Sequence, residues 1–256
     1  LFDISNAPEH FFVHVSADAQ FILCVNQQDI GRGPARSDLA HWRYETYDVA
    51  KFLHVGKNEI SATVWNFGVV PLAQITDRTA FVLQGDTASE AILNTDSSWE
   101  VAEEKGIQTL PTPPDLENSY YVAEPAERID GSVFDWSWNN AASSHGQWEK
   151  PLAIGNATLR GAVLQNNNWQ LLPDTLPPMQ MELTPAGRVV RAVGIQRSGD
   201  FPGSLLEIPA HSTVTLLLDQ AHLITAYPEL TVTGGAQSTI RLTYAEALFD
   251  GNGQKG

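Results

Sequence analysis

Three short stretches of the chain place aromatic side chains next to polar ones. Residues 36–44 read RSDLAHWRY, residues 65–68 read WNFG and residues 135–140 read DWSWNN. An aromatic ring offers a flat apolar platform, and neighbouring polar groups can hydrogen-bond to hydroxyls, which is the chemistry that binds sugars. The same aromatic residues also suit a core or an interface between domains, and this alternative stays open for each stretch. The candidate ligand-binding residues are Arg36, Asp38, Trp42, Tyr44, Trp65 and Asn66.

Trp42 is the expected stacking platform of the first stretch. We expect Trp42→Ala to leave the fold intact and to weaken sugar binding by about 1–3 kcal/mol, the value of one aromatic stacking surface. Unfolding of this variant would instead place Trp42 in the core.

Carboxylates are the second group of residues that could do chemistry. Hydrolysis of a glycosidic bond needs two carboxyl groups that face each other across the sugar. The chain has 30 acidic residues, so the nearness of any two of them identifies no catalytic pair. Glu246 is the most suggestive single acid because it follows a strand-like run, but a solvated acid or a partner of Arg241 is the simpler explanation. We therefore assign no catalytic residue in this chain.

Metal and thiol chemistry have little support in the sequence. The seven histidines are scattered along the chain. His10 and His14 would lie about 13 Å apart on a strand, which is too far to share a metal ion. The single cysteine, Cys24, belongs to an alternating apolar run. It is expected to be a small core residue rather than a reactive thiol.

Strands are the elements that must position these residues. Turn residues separate the strand-like segments, and no convincing helix of ten residues or more occurs. The predicted class is all-β, with two β-sandwich domains of the jelly-roll type. The segments rich in β-branched and aromatic residues are 11–15, 20–25, 59–67, 79–84, 189–195, 213–218, 229–232 and 238–244.

Several of these segments carry the motifs of a known module. Residues 25–36 read VNQQDIGRGPAR, and residues 47–60 read YDVAKFLHVGKNEI. They resemble the galactose-binding-like β-sandwich in the N-terminal region of bacterial α-L-rhamnosidases, where a glycine usually stands in place of Gln27. Further patches that resemble the same region are EPAERIDGSVFDWSW at 124–138, WQLLPDTLPPM at 169–179 and RLTYAEALFDGNGQKG at 241–256.

The resemblance implies a domain organisation. The galactose-binding-like sandwich would span residues 1–155, and a second, incomplete β-sandwich would span residues 156–256. In such enzymes a helical barrel follows and carries the catalytic carboxylates in an acidic motif of the type D-E-R-x-G-W, which this chain lacks. The chain alone is therefore expected to be inactive.

The resemblance also implies a function for the whole enzyme. It would remove terminal α-L-rhamnose by inverting hydrolysis, without an organic cofactor. This chain would support the catalytic domain of the same polypeptide, with binding of a rhamnose-containing glycan as a further role. The alternatives are a free-standing carbohydrate-binding module or lectin, and a purely structural scaffold.

A structural calcium ion is compatible with the resemblance. Galactose-binding-like sandwiches often hold calcium with carboxylate and carbonyl oxygens. The acids at predicted loop ends have no EF-hand spacing, so no ligand set is assigned. These acids are Asp18, Asp38, Asp48, Asp77 and Asp96.

Composition and charge limit the classes of partner that this chain can bind. The chain has 256 residues, enough for two domains, and a net charge of −15 without a basic run. This charge disfavours nucleic acid and anionic membrane surfaces. No apolar run approaches the roughly 18 residues that span a bilayer.

The chain begins with Leu1 and has no leader, so it is expected to be a processed or excised piece. Rhamnosides usually occur outside the cell, which favours the periplasm or the exterior.

Overall fold

The computed structural model describes residues 1–68, 75–111, 126–140, 147–162, 168–178, 180–195, 199–249, 252 and 254. Regular structure within these residues consists of strands and three short 3₁₀ helices, which confirms the predicted all-β class. The 3₁₀ helices cover Leu39–His41, Ala50–Phe52 and Glu90–Leu93. The strands are β1 (Phe2–Ile4), β2 (Phe12–Asp18), β3 (Gln20–Val25), β4 (Gln28–Gly33), β5 (Trp42–Asp48), β6 (Gly56–Asn58), β7 (Ile60–Trp65), β8 (Ala80–Gly85), β9 (Ile107–Leu110), β10 (Ala126–Ile129), β11 (Leu171–Pro173), β12 (Arg188–Val193) and β13 (Thr215–Asp219).

The chain forms two compact units, Leu1–Pro177 and Pro178–Gly256. In the first unit, a four-stranded sheet has the order β11-β5-β2-β8 and a three-stranded sheet has the order β4-β3-β7. The pairs β1-β6 and β9-β10 complete its regular structure among the described residues.

The core of the first unit lies between the four-stranded and the three-stranded sheet. β2 contributes Val13 and Val15, and β3 contributes Phe21 and Leu23, all of them fully buried. Leu83 of β8 joins the same cluster. Alternating residues of a strand point to opposite faces, so the period of two in the sequence places these apolar side chains on one side of each sheet.

The same alternation identifies the residues on the other face of the four-stranded sheet, which we call the outer face. His14 and Ser16 of β2 point away from the core that Val13 and Val15 fill. His14 pairs with Gln84 of β8 and with Thr46 of β5. These cross-strand partners therefore share the outer face.

β11 extends this sheet with residues from far along the chain. Leu171 pairs in parallel with Trp42, and Pro173 pairs with Tyr44. Backbone hydrogen bonds from Trp42 N to Gln170 O (2.9 Å) and from Asp174 N to Tyr44 O (2.9 Å) fix the strand at both ends. β11 therefore belongs to the first compact unit, which ends at Pro177, and the domain boundary expected at 155/156 stays a prediction.

In the second unit, β12 and β13 form one antiparallel pair. These two strands match the segments predicted at 189–195 and 213–218. The segments predicted at 229–232 and 238–244 are not strands, and this part of the prediction is wrong. Their side chains are exposed, and an apolar alternating run gains little from the extended form without a sheet that covers one face.

Two further sequence predictions have a structural outcome. Cys24 is buried, as expected, and burial raises the pKa of its thiol to about 11. A thiol with this pKa stays protonated and unreactive at neutral pH. No helix among the described residues has the length and apolar character needed to cross a membrane.

Candidate functional site

The outer face of the four-stranded sheet carries a groove of about 250 Å³. We call it the outer-sheet groove. Neighbouring strands supply its lining, so side chains from distant parts of the sequence meet in it. The lining includes His14 and Ser16 of β2, Tyr44 of β5, Val82 and Gln84 of β8, and Leu171 of β11.

His14 is the most constrained polar side chain of the outer-sheet groove. Its Nδ1 lies 2.9 Å from the Thr46 hydroxyl, and its Nε2 lies 3.1 Å from Oδ1 of Asp86, which also lines the groove. One neutral tautomer satisfies both contacts, because Nε2–H donates to Asp86 while Nδ1 accepts from Thr46. The ring also meets the edge of Tyr44, with the ring centroids 5.3 Å apart. The imidazole is therefore held in one orientation.

A second polar cluster lies on the core side of β5. Glu45 pairs with Val15 of β2 and so faces inward, where its carboxyl group hydrogen-bonds to the side chain of Asp174. Nη1 of Arg43 lies 3.1 Å from Oδ1 of Asp174. Burial, followed by the adjacent Asp174 carboxylate, raises the pKa of Glu45 to about 7. The Glu45 carboxyl group therefore stays protonated at mildly acidic pH.

The spacing of Glu45 and Asp174 excludes them as a glycosidase pair. Two catalytic carboxyl groups stand about 5–5.5 Å apart in retaining enzymes and about 6.5–9.5 Å apart in inverting ones. Glu45 and Asp174 are in direct hydrogen-bond contact, which leaves no room for a sugar and a water molecule between them. Their role is to tie the end of β11 to β5.

Trp42, the expected stacking platform, lies in the core instead. Its side chain is 2% exposed, packs with Trp169 and Leu171, and donates its indole N–H to Ala17 O at 3.1 Å. The expectation that this ring stacks on a sugar is therefore corrected. The reason is tertiary, because β11 arrives beside Trp42 and covers a face that would be exposed on β5 alone.

The other candidate residues of the first stretch, Asp38, Arg36 and Tyr44, lie in different surroundings. Asp38 caps the 3₁₀ helix Leu39–His41, because its Oδ1 accepts from Ala40 N at 2.8 Å. It also bonds to the His41 ring, which lowers the pKa of Asp38. Arg36 is exposed. Tyr44 alone lines the outer-sheet groove.

Trp65 is the last residue of β7 on the other sheet, and Asn66, which follows it, braces a loop. The Asn66 amide donates to Oδ1 of Asp18 at 3.1 Å, while its own Oδ1 accepts from Gly68 N at 2.9 Å. Asp18 is 1% exposed and also accepts from the Trp169 indole at 3.0 Å. This buried carboxylate joins several segments. The Asn66 amide is engaged in a hydrogen bond to it and does not face an open site.

The acids considered for calcium are engaged in local hydrogen bonds. Asp48 accepts from His10 Nδ1 at 2.6 Å and from Phe11 N at 2.9 Å, which holds the pKa of Asp48 at about 2. Asp96 accepts from Ser98 N at 2.7 Å. Within the described parts of the chain, no group of three or more His, Cys, Asp or Glu side chains is placed to hold a metal ion.

Two further sequence candidates, Glu246 and Trp136, are exposed. Glu246 lies at the surface in an irregular segment. In the third aromatic stretch, the Trp136 side chain is 72% exposed, and its indole N–H donates to Gly131 O at 3.0 Å. Its ring packs edge-to-face against the Phe134 ring, with the ring centroids 4.9 Å apart.

Sequence reasoning missed Gln84 and Asp86 and considered His14 only as a metal ligand. One signal was available, because His14 and Ser16 are the polar positions of an otherwise apolar alternating strand. The pairing of His14 with Gln84 could not be read, because it joins strands far apart in the sequence.

Comparison with solved structures gives one informative likeness. The fold is similar to that of a GH78 family rhamnosidase of Bacillus sp. GL1, with a TM-score of 0.58 and 21% sequence identity. The match covers 74% of this chain and 19% of that chain. No family model and no curated protein matches the sequence. At this identity the likeness shows the fold alone, so the chain has a rhamnosidase-like β fold and spans about a fifth of that enzyme's length.

Proposed function

We propose that this chain is a non-catalytic β portion of an α-L-rhamnosidase-like glycoside hydrolase. The observation that carries the proposal is the fold likeness, which extends over most of this chain but over only 19% of the GH78 rhamnosidase. In this proposal the catalytic carboxylates belong to another domain of the same polypeptide, and the β units support that domain.

The side chains of the first unit support a non-catalytic role. Glu45 and Asp174 are hydrogen-bonded to each other, and a pair in such direct contact is too close for glycoside hydrolysis. Asp18 and Asp48 are occupied by hydrogen bonds that hold segments of the unit together. The proposal requires no organic cofactor, since two carboxyl groups suffice for hydrolysis.

An assay with 4-nitrophenyl α-L-rhamnopyranoside tests the proposal. The purified chain should release no nitrophenol above the buffer background. Glu45→Gln and Asp174→Asn are matched controls, because they remove the charges of the most suggestive pair and keep its shape. Hydrolysis by the chain that either substitution abolished would contradict the proposal.

The reading frame of the encoding gene gives a second test. The proposal predicts that the full polypeptide includes a helical barrel with an acidic motif, and that this longer protein hydrolyses the same substrate. A full-length protein without such a domain would contradict it. We also propose the periplasm or the cell exterior as the compartment, because rhamnosides usually occur there, and cell fractionation tests this.

A free-standing carbohydrate-binding module is the second candidate. The outer-sheet groove favours it, because aromatic, apolar and hydrogen-bonding side chains meet there. Binding of a rhamnose-containing glycan by a complete short gene product would support this candidate over the first. A structural calcium ion stays a prediction for either function, and metal analysis of the purified chain tests it.

A further inference from the structure

We propose that the segment around β11 is a pH-sensitive strap, whose end detaches from β5 as the medium changes from acidic to alkaline. The strap comprises residues 169–177, which close the first unit. Its beginning, at Trp169 and Gln170, stays in place, and its end, from Pro173 onward, opens. This switch belongs to the first unit alone and does not depend on the proposed function.

The beginning of the strap is held by several N–H donors and by packing. Gln170 N donates to Leu39 O at 2.7 Å, and Gln170 O accepts from Trp42 N at 2.9 Å. The Trp169 indole donates to the buried carboxylate of Asp18 at 3.0 Å, and its ring packs with Trp42. Backbone and indole N–H groups keep their protons at these pH values, so the donors at this end are permanent.

The end of the strap depends on the side chain of Asp174. Pro173 has no N–H to donate, so the backbone here bonds to β5 through Asp174 N, which donates to Tyr44 O at 2.9 Å. Oδ1 of Asp174 accepts from Nη1 of Arg43 at 3.1 Å and from Leu176 N at 3.0 Å. The Asp174 side chain is only 12% exposed, so a change of charge beside it acts with little screening by water.

Glu45 provides that change of charge. Its protonated carboxyl group hydrogen-bonds to the side chain of Asp174. Burial, followed by the Asp174 carboxylate, raises the pKa of Glu45 to about 7, so this bond is present in acid and is lost as the pH rises through 7. After deprotonation, two carboxylates in contact share the single guanidinium group of Arg43, and they repel each other.

The other groups around Glu45 do not replace the lost proton. The backbone N–H of Ala35 donates to the Glu45 carboxyl group at any of these pH values. Burial, followed by Glu45, raises the pKa of Tyr47, so its phenol stays neutral. On β4, Asp29 is paired with Arg32 at 3.0 Å. β2 faces Glu45 with an apolar residue. Repulsion between the two carboxylates therefore remains when Glu45 ionises.

This repulsion is relieved by movement of the strap rather than of Glu45. The Glu45 side chain lies against β4, since a Cβ at Gly33 would stand 2.8 Å from Glu45 Cγ. β5 is also paired on both sides, with β2 and with β11. Asp174, in contrast, follows the last residue of a three-residue edge strand. Short edges open at lower free energy than central strands, so the end of the strap yields first.

Amide hydrogen exchange of the isotope-labelled chain, followed by NMR across the pH range, tests the proposal. Protection factors are compared, because they remove the intrinsic pH dependence of exchange. The protection factor of the Asp174 amide should fall about five-fold from about pH 5 to about pH 8, less than a fully buried carboxyl group would give. The Gln170 and Leu171 amides, which donate to Leu39 O and Thr158 O at the beginning of the strap, should keep theirs.

Two substitutions assign the effect to the carboxyl pair. Glu45→Gln keeps a donor towards Asp174 at every pH, so the Asp174 amide should stay protected in alkali. Asp174→Asn removes the other charge, and the amide of residue 174 should again lose its pH dependence. Glu103→Gln changes an exposed glutamate and should behave as the parent chain does. Either variant of the pair suffices if the other does not fold.

Four results would overturn the proposal. The first is a Glu45 carboxyl group whose carbon-13 shift titrates near its ordinary value of 4.5 in the parent chain. The second is an Asp174 amide whose protection does not change with pH, and the third is an unchanged pH dependence in Glu45→Gln or Asp174→Asn. The fourth is an equal fall at Gln170, Leu171 and Asp174, because the fold would then loosen as a whole.

Discussion

Glu45 is the residue through which pH should act on this fold. Burial and the Asp174 carboxylate raise its pKa from 4.5 to about 7, so the folded chain holds a proton that the unfolded chain releases. The stability that Glu45 contributes is complete below pH 4.5 and is lost as the pH rises through 7. Because the side chain is only partly buried, we expect the free energy of unfolding to fall by about 1 kcal/mol across this window.

Urea unfolding at a series of pH values measures this effect. Glu45→Gln keeps a hydrogen-bonding group next to Asp174 but cannot ionise, so its stability should be nearly flat between pH 4.5 and 7. Glu103→Gln is the control, because it changes an exposed glutamate. Hydrogen bonds lower the pKa of Asp48 from 3.8 to about 2, so the stability that Asp48 contributes is lost only as the pH falls below 3.8. Its contribution is therefore constant between pH 4.5 and 7. Parallel pH profiles for the parent chain and Glu45→Gln would contradict the assignment.

Trp42 should matter for stability rather than for ligand binding. Its 2% exposure and its contacts with Trp169 and Leu171 predict that Trp42→Ala lowers the free energy of unfolding by about 3–5 kcal/mol. Trp136→Ala is the matched control at a tryptophan that is 72% exposed, and it should cost less than about 1 kcal/mol. Similar urea midpoints for the two variants would show that Trp42 is not a core residue.

At the scale of the elements, a glycine lets the two sheets approach. Gly31 of β4 faces Tyr47 of β5, and a Cβ at Gly31 would lie 2.5 Å from Cε1 of the tyrosine ring. Gly31→Ala should therefore push the sheets apart and cost about 1–3 kcal/mol. Gly131→Ala is the control, because its nearest neighbour, Trp136 Cζ2, is 3.5 Å away. Thermal unfolding of both variants checks this, and equal midpoints would contradict the close approach.

The strands themselves divide into those that local pattern predicts and those that it does not. β2, β3, β7 and β8 were predictable because each buries one face, and the alternation records this in the sequence. β11 was not predicted as a strand, because its three residues lie in a proline-containing segment and gain their partner only from β5. Short edge strands carry little pattern of their own.

At the scale of the whole chain, the second unit exposes much of its apolar surface. None of its described hydrophobic side chains is buried, and Leu183 is 90% exposed and Leu205 87% exposed. Exposed apolar surface of this extent favours association. We expect the weight-average mass in sedimentation equilibrium to rise with the concentration of the chain.

A double variant connects the association to this surface. Leu183→Gln combined with Leu205→Gln should reduce it, whereas Leu1→Gln, which changes an exposed leucine of the first unit, should not. A chain that stays monomeric at all concentrations would contradict the prediction. That result would favour a complete carbohydrate-binding module over a portion of a larger enzyme.

The sequence by itself determined the all-β class and the inward-facing residues of the central strands, because a period of two is a local property of the chain. It also placed Cys24 in the interior. Only the tertiary structure decided which outward-facing residues are covered and which stay open. β11 buries Trp42, Asp174 meets Glu45, and Gln84 comes beside His14 through contacts between segments far apart in the sequence. A strand's own residues specify its two faces, but the cover of each face depends on partners that no local pattern encodes.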